Sequence, residues 1–161
     1  MKPKHILIVD DEASFTRLLK VNLEARTQHT VAVVNRAHEA IPAAHKQKPD
    51  LILLDVIMPG FDGGELAARI QADPLLRDVP IVFLTATVSQ TEAHRGVKSG
   101  GFTLLAKPVS MPDLLACLAQ YLGPTVANTG PRAPQAEPRT PPQSGTRPPD
   151  LNRNPALGGQ I

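Results

Sequence analysis

Five short runs of consecutive apolar residues constrain this chain more than any other feature. They are Ile6-Leu7-Ile8-Val9, Val31-Ala32-Val33-Val34, Leu51-Ile52-Leu53-Leu54, Val79 with Ile81-Val82-Phe83-Leu84, and Phe102 to Leu105. A strand with one face in water alternates polar and apolar residues. A run that is apolar at nearly every position needs cover on both faces, as in a parallel sheet between two helical layers. The intervening segments have helical spacing: Phe15, Leu18, Leu19 and Leu23 form one stripe, Leu66, Ala67 and Ile70 a second, and Leu114, Leu115, Leu118 and Leu122 a third. Asp62-Gly63-Gly64-Glu65 and Ser89-Gln90-Thr91-Glu92 read as capping boxes, and Ser110 leads Pro112 and Asp113 into the last helix. Pro42 lies inside 37–47 and predicts a short or kinked second helix. The pattern predicts an α/β fold, a (βα)5 doubly wound sandwich around a five-stranded parallel sheet.

Proline marks the end of that pattern. Nine of the 17 prolines fall in residues 124–161, a stretch without aromatic residues or periodic apolar positions. Such a segment cannot bury enough surface to offset a backbone ordering cost of about 1–2 kcal/mol per residue. The expected division is a folded domain over 1–123 and a Pro-rich disordered tail over 124–161. Residues 1–123 hold 13 basic and 13 acidic groups, so the tail carries the whole formal net charge of +2. No polybasic face is present, and no helix-turn-helix pattern follows residue 123, so nucleic acid is not an expected partner. The apolar stretches are too short for a membrane span. No signal-peptide core opens the chain, and the single cysteine, Cys117, fits a reducing compartment, so a cytoplasmic location is expected. Cys117 lies one helical turn after Leu114 and reads as a small core residue. The five histidines have no ligand spacing.

In open parallel sheets, ligands bind beyond the carboxyl ends of the strands. Four of the five predicted strands end in a polar group: Asp10-Asp11 with Glu12 following, Asp55, Thr85, and Lys107. Two carboxylates about 5 Å apart repel by roughly 3 kcal/mol at an effective dielectric near 20. Three therefore call for a cation, and hard oxygen ligands with few carboxylates suit Mg²⁺. A phosphoryl group in the same place would use the hydroxyl of Thr85 and the ammonium of Lys107, with Asp55 as nucleophile forming an acyl phosphate.

With these residues in place the chain resembles the response-regulator receiver domains of two-component signalling, stand-alone and chemotaxis-regulator-like. The matching marks are Val9-Asp10-Asp11-Glu12, Leu54-Asp55-Val56-Ile57-Met58-Pro59-Gly60 with Asp62-Gly63, Leu84-Thr85-Ala86, and Lys107-Pro108, spread over 4–122. The resemblance implies a flavodoxin-like three-layer sandwich. It implies Asp55 as acceptor of a phosphoryl group from a histidine kinase or phosphotransfer protein, and Mg²⁺ held by Asp10, Asp11, Asp55 and the backbone carbonyl of Ile57. Thr85 and Lys107 would bind the phosphoryl oxygens, and Lys107-Pro108 would have a cis peptide bond. Three residues before the lysine the family often has an aromatic switch residue; here Leu104 stands there.

The expected function is a phosphoacceptor signalling module, with self-phosphorylation and self-dephosphorylation but no conventional turnover. Its signal would leave through a partner protein, or through a homodimer formed by the face that includes the fourth strand, the helix at about Ser89 to Ser99, and strand Phe102 to Ala106. Three alternatives stand beside it. One is a receiver-fold interaction domain independent of phosphorylation, and another is a fragment of a larger kinase or regulator. The third, an aspartate-nucleophile phosphatase of the haloacid-dehalogenase type, needs a second aspartate where Ile57 stands.

Overall fold

The computed structural model describes residues 2–86, the backbone of 98–99, and residues 101–124. The predicted strands appear as β1 (His5–Val9), β2 (Thr30–Val34), β3 (Leu51–Asp55), β6 (Ile81–Thr85) and β8 (Phe102–Ala106). Between them come a two-residue hairpin, β4 (Ile57–Met58) with β5 (Phe61–Asp62), and a two-residue strand β7 (Lys98–Ser99). The main sheet runs in the order β2-β1-β3-β6-β8-β7, its first five members parallel and β7 added antiparallel at the edge. The helix expected at about Ser89 to Ser99 lies mostly outside the described residues, as do its capping box and the tail beyond 124. Its last two positions belong to β7 instead, because they pair with Thr103 and Phe102.

The helices are α1 (Ala13–Arg26), α2 (Ala40–Gln47), α3 (Gly63–Ala72) and α4 (Met111–Leu122). The second is short, as its proline requires. A 3-10 turn at Ala37–Glu39 leads into it, and Pro42 falls in its first turn, where the missing N–H has no intrahelical acceptor to lose. Asp62 caps α3 by accepting from Gly64 N–H at 2.7 Å. Glu65 does not complete the box; its carboxylate pairs with Arg69 one turn on. Ser110 caps α4 by accepting from Asp113 N–H.

Successive residues of a strand point to opposite faces, so runs apolar at every position build two cores. Ile6, Ile8, Leu51, Leu53, Val82 and Leu84 pack with Leu19 and Leu23 of α1 and Leu114 and Leu118 of α4. Leu7, Val9, Ile52, Leu54 and Phe83 pack on the other side with Ala40 and Ala44 of α2 and Leu66 and Ile70 of α3. Each fully buried Leu or Ile contributes about 1.5–3 kcal/mol, which is what holds the strand ends in place. Cys117 is buried, as expected, and burial pushes its thiol up to about 11, far from a reactive range. Leu18 departs from expectation. It is 64% exposed, because the sheet covers the Thr16, Leu19 and Leu23 side of α1, which leaves Leu18 on its open flank.

Two features of the scaffold carry their own tests. β2 is an edge strand, and α1 covers part of that edge: Val31 N–H donates to Glu24 Oε1 at 3.0 Å, and Lys20 Nζ donates to the Val31 carbonyl. Side chains thus take the place of a neighbouring strand there. Glu24→Ala should raise the hydrogen-exchange rate of the Val31 amide several-fold, consistent with loss of a bond worth about 1 kcal/mol. An unchanged rate would mean that this amide is protected by something else.

The second test concerns His29, which is buried at the opposite end of the sheet from Asp55. Lys4 N–H donates to its Nδ1 at 3.3 Å, so the neutral ring carries its proton on Nε2, which has no hydrogen-bond partner. Burial holds His29 below the ordinary histidine value; Asp50 acts in the opposite sense and Lys4 adds to the lowering. The unfolded chain therefore takes up this proton at higher pH than the folded one does. The stabilisation is complete above about pH 6.5 and is lost as pH falls through the folded value. Urea unfolding at pH 7.5 and 5.5 should show wild type losing more stability on acidification than His29→Gln. Equal losses would remove His29 as the cause.

Candidate phosphoacceptor site

The parallel order brings the carboxyl ends of β1, β3, β6 and β8 side by side, and the polar residues at those ends meet. Asp10 follows β1 and is fully buried, while Asp55 and Thr85 close β3 and β6 and are nearly so. Asp11 is exposed at the rim. Lys107 follows β8, its N–H donating to the Thr85 carbonyl at 2.7 Å, and the Lys107-Pro108 peptide is cis, as the resemblance implied. Its ammonium reaches back across the sheet end to Asp10 Oδ2 at 2.6 Å and Asp55 Oδ2 at 3.1 Å. Sequence reasoning placed Asp10, Asp11, Asp55, Thr85 and Lys107 at one edge, and all five are there. Ile57 N–H donates to Asp55 Oδ1 at 3.3 Å, so the backbone at Ile57 borders the same carboxylate while its side chain points to solvent.

The charges explain one another. Burial pushes the Asp10 carboxyl above its ordinary value; Lys107 and the Glu12 N–H pull it down, and the nearby Asp55 charge raises it further. Burial alone would lower Lys107, yet the two carboxylates more than offset this and hold its ammonium above the ordinary value. One ammonium does not satisfy the cluster. Asp10 Oδ2 is buried with the Lys107 ammonium 2.6 Å away, and that one positive charge is set against the carboxylates of Asp10, Asp11 and Asp55. Asp10, Asp11 and Asp55 each offer a carboxylate oxygen, all within 4.8 Å of one another. An all-oxygen set of three carboxylates facing one ammonium fits a hard divalent cation of the Mg²⁺ kind.

Two further residues, Asn35 and Gly63, shape the site. Asn35 follows β2, so the fifth strand end is polar as well. Its Nδ2 donates to the Asp10 carbonyl at 2.6 Å and to Thr16 Oγ1 at 3.0 Å, tying the acidic loop to α1. Its place directly after an apolar run was the available signal. Gly63 opens α3 against the backbone that follows Asp55: its N–H donates to the Val56 carbonyl at 2.9 Å, and a Cβ there would lie 2.2 Å from the Asp55 carbonyl oxygen. In the sequence Asp62-Gly63 opens a capping box and is one of the family marks, and nothing local reveals this close approach.

Comparison with known proteins agrees with the geometry. Residues 6–119 match the family model of the response regulator receiver domain. Over 133 residues the chain is 39% identical to the phosphate regulon transcriptional regulatory protein PhoB of Pseudomonas aeruginosa, covering 81% of this chain and 55% of PhoB. It is 31% identical to the polar-differentiation response regulator DivK of Brucella anthropi, covering 75% of this chain and 98% of DivK. The chain spans about half the length of the PhoB relatives it matches. Among solved structures, a response regulator from Chloroflexus aurantiacus superposes with a TM-score of 0.64 at 31% identity, covering 75% of this chain and 98% of the other. The receiver domain of sensor histidine kinase PA1611 from Pseudomonas aeruginosa, with a magnesium ion coordinated in its active-site cleft, gives a TM-score of 0.64 at 29% identity, covering 76% and 99%. Sheet order, strand-end residues and family match converge: the chain belongs to the response-regulator receiver-domain family of two-component signalling.

Proposed function

We propose that this receiver takes a phosphoryl group from the phosphohistidine of a histidine kinase or phosphotransfer protein onto Asp55. The observation that carries the reading is the meeting of a buried carboxylate, a hydroxyl and an ammonium at one sheet end, beside two further carboxylates. Asp55 supplies the carboxylate oxygen that forms the new O–P bond as the P–N bond of the donor breaks, and the electron pair leaves with the imidazole. Asp10, Asp11, Asp55 and the Ile57 carbonyl would hold Mg²⁺. When bound, the cation lowers the repulsion between carboxylate and phosphoryl oxygens. Lys107 and Thr85 bind the transferred oxygens, and Lys107 exchanges its contact with Asp55 for the phosphoryl group. Reversal by water, without a separate substrate, limits catalysis to the domain's own phosphoryl uptake and loss.

Output through the β6 and β8 face is part of the same proposal, toward a downstream protein or a second copy. Leu104 sits there half-buried in register with Phe83, so its movement changes shape without exposing a hydroxyl. The proposed setting is the cytoplasm; among the described residues no helix is long and apolar enough to cross a membrane. The proposed division is a receiver over 1–123 with a linker-like tail after it. A longer regulator is the second reading, favoured by the half-length match to PhoB. Acetyl phosphate with Mg²⁺ should add one phosphoryl mass to the intact protein, and chelation of Mg²⁺ should prevent it. No adduct under either condition would overturn the phosphoacceptor reading.

A further inference from the structure

Lys107 has a third neighbour besides Asp10 and Asp55. Its Nζ lies 4.9 Å from the centre of the Phe15 ring, contributed by the first turn of α1. The lysine side chain is largely buried, 16% exposed, so this contact is not diluted by bulk water. Phe15 is only half-buried and also packs against the α1 and α4 core. By pattern it belongs to the apolar stripe of α1; by position its ring borders the Lys107 ammonium.

We propose that Phe15 is a positioning residue that holds the Lys107 ammonium over the phosphoacceptor site through a cation–π contact, an inference that rests on the phosphoacceptor reading. Both carboxylates paired with Lys107 belong to the oxygen cluster that fits a divalent cation. When Asp10 and Asp55 turn their charge to a cation, Lys107 loses much of its anionic hold, and the ring remains. An aromatic face attracts an ammonium without fixing the direction of its N–H bonds. Lys107 can therefore keep to the ring while its donors shift from carboxylate to phosphoryl oxygens. An aliphatic residue of similar size would fill the same core volume and offer no such attraction, which separates this role from packing.

The test uses the full chain with Mg²⁺ and beryllium fluoride, a phosphoryl mimic, together with Phe15→Leu and Phe15→Tyr. A ring at this distance shifts the Lys107 ε-methylene protons upfield. That signature should be present in wild type with and without Mg²⁺, kept by Phe15→Tyr, and absent in Phe15→Leu. Beryllofluoride affinity should fall about fivefold in Phe15→Leu and stay within about twofold of wild type in Phe15→Tyr, the scale of a desolvated cation–π contact. Wild type without the upfield shift overturns the contact, and that reading needs no variant to fold. Phe15→Leu binding as tightly as wild type, or Phe15→Tyr failing to restore affinity, overturns the role and leaves Phe15 a core residue. Wild type that binds no beryllofluoride overturns the phosphoacceptor reading itself and this role with it.

Discussion

Asp55→Asn will take up no phosphoryl mass from acetyl phosphate and Mg²⁺ under conditions that label the wild type fully. A carboxamide oxygen is a poor nucleophile, and an acyl phosphate cannot form on it, so the expected loss is to below detection rather than a slower rate. The substitution keeps the size of the side chain, and its removal of one negative charge relieves repulsion with Asp10, so folding should be preserved. Lys107 keeps Asp10 as an ion partner at 2.6 Å. Intact mass reads the adduct, and circular dichroism checks the fold. Labelling of Asp55→Asn at the wild-type level would move the acceptor to another residue. Asp11→Ala gives a graded comparison: the nucleophile stays while one candidate metal oxygen goes, so labelling should slow and need more Mg²⁺.

Gly63→Ala should be the most damaging small substitution near the site. The added Cβ would lie 2.2 Å from the Asp55 carbonyl oxygen, 2.8 Å from Val56 Cα and 3.0 Å from the Val56 carbonyl oxygen. All three are backbone atoms of the β3 end, so no side chain can turn aside, and either α3 or the acceptor loop must move. Overpacking against backbone costs about 3 kcal/mol, and for a domain of this size that lowers Tm by roughly 10 °C. The shift also displaces the backbone that carries Asp55, so labelling should fall even where the protein remains folded. Gly64→Ala is the control. Its Cβ meets only the Asp62 side chain, at 3.1 Å, which can yield, and it gains helix propensity, so its stability should stay within about 1 kcal/mol of wild type. Thermal melts of the two variants decide the matter; equal Tm values would mean that the close approach at Gly63 is relieved at little cost.

The legible residues and the missed ones differ in kind. Asp10, Asp55, Thr85 and Lys107 could be read because each closes or directly follows an apolar run, and strand-end residues of a parallel sheet share one edge whatever the details of packing. Asn35 satisfies the same rule, but an uncharged amide at a strand exit carries no electrostatic signal that sets it apart from an ordinary solvated end. Gly63 and Phe15 could not be found this way. Gly63 matters through a distance to β3, and Phe15 through a distance to a lysine remote from it in sequence. Leu18 shows the limit of helical periodicity. The spacing of Phe15, Leu18, Leu19 and Leu23 defines an apolar flank wider than the sheet covers, and only the seating of α1 leaves Leu18 outside.

The edge strand Lys98–Ser99 and the hairpin at Ile57–Met58 and Phe61–Asp62 belong to the same class. Two residues carry no periodicity, so pairing alone makes them strands. What the sequence by itself determined was the run of buried strands, the caps at Asp62 and Ser110, and the identity of the acids, hydroxyl and amine that meet at one edge. These follow from interactions within a few residues, or from the single rule that parallel strands end together. What only the tertiary structure decided was how one lysine reaches both Asp10 and Asp55, which glycine touches the acceptor backbone, and which side of α1 faces water. Those depend on contacts a few ångströms long between segments distant in sequence, and no local pattern records them.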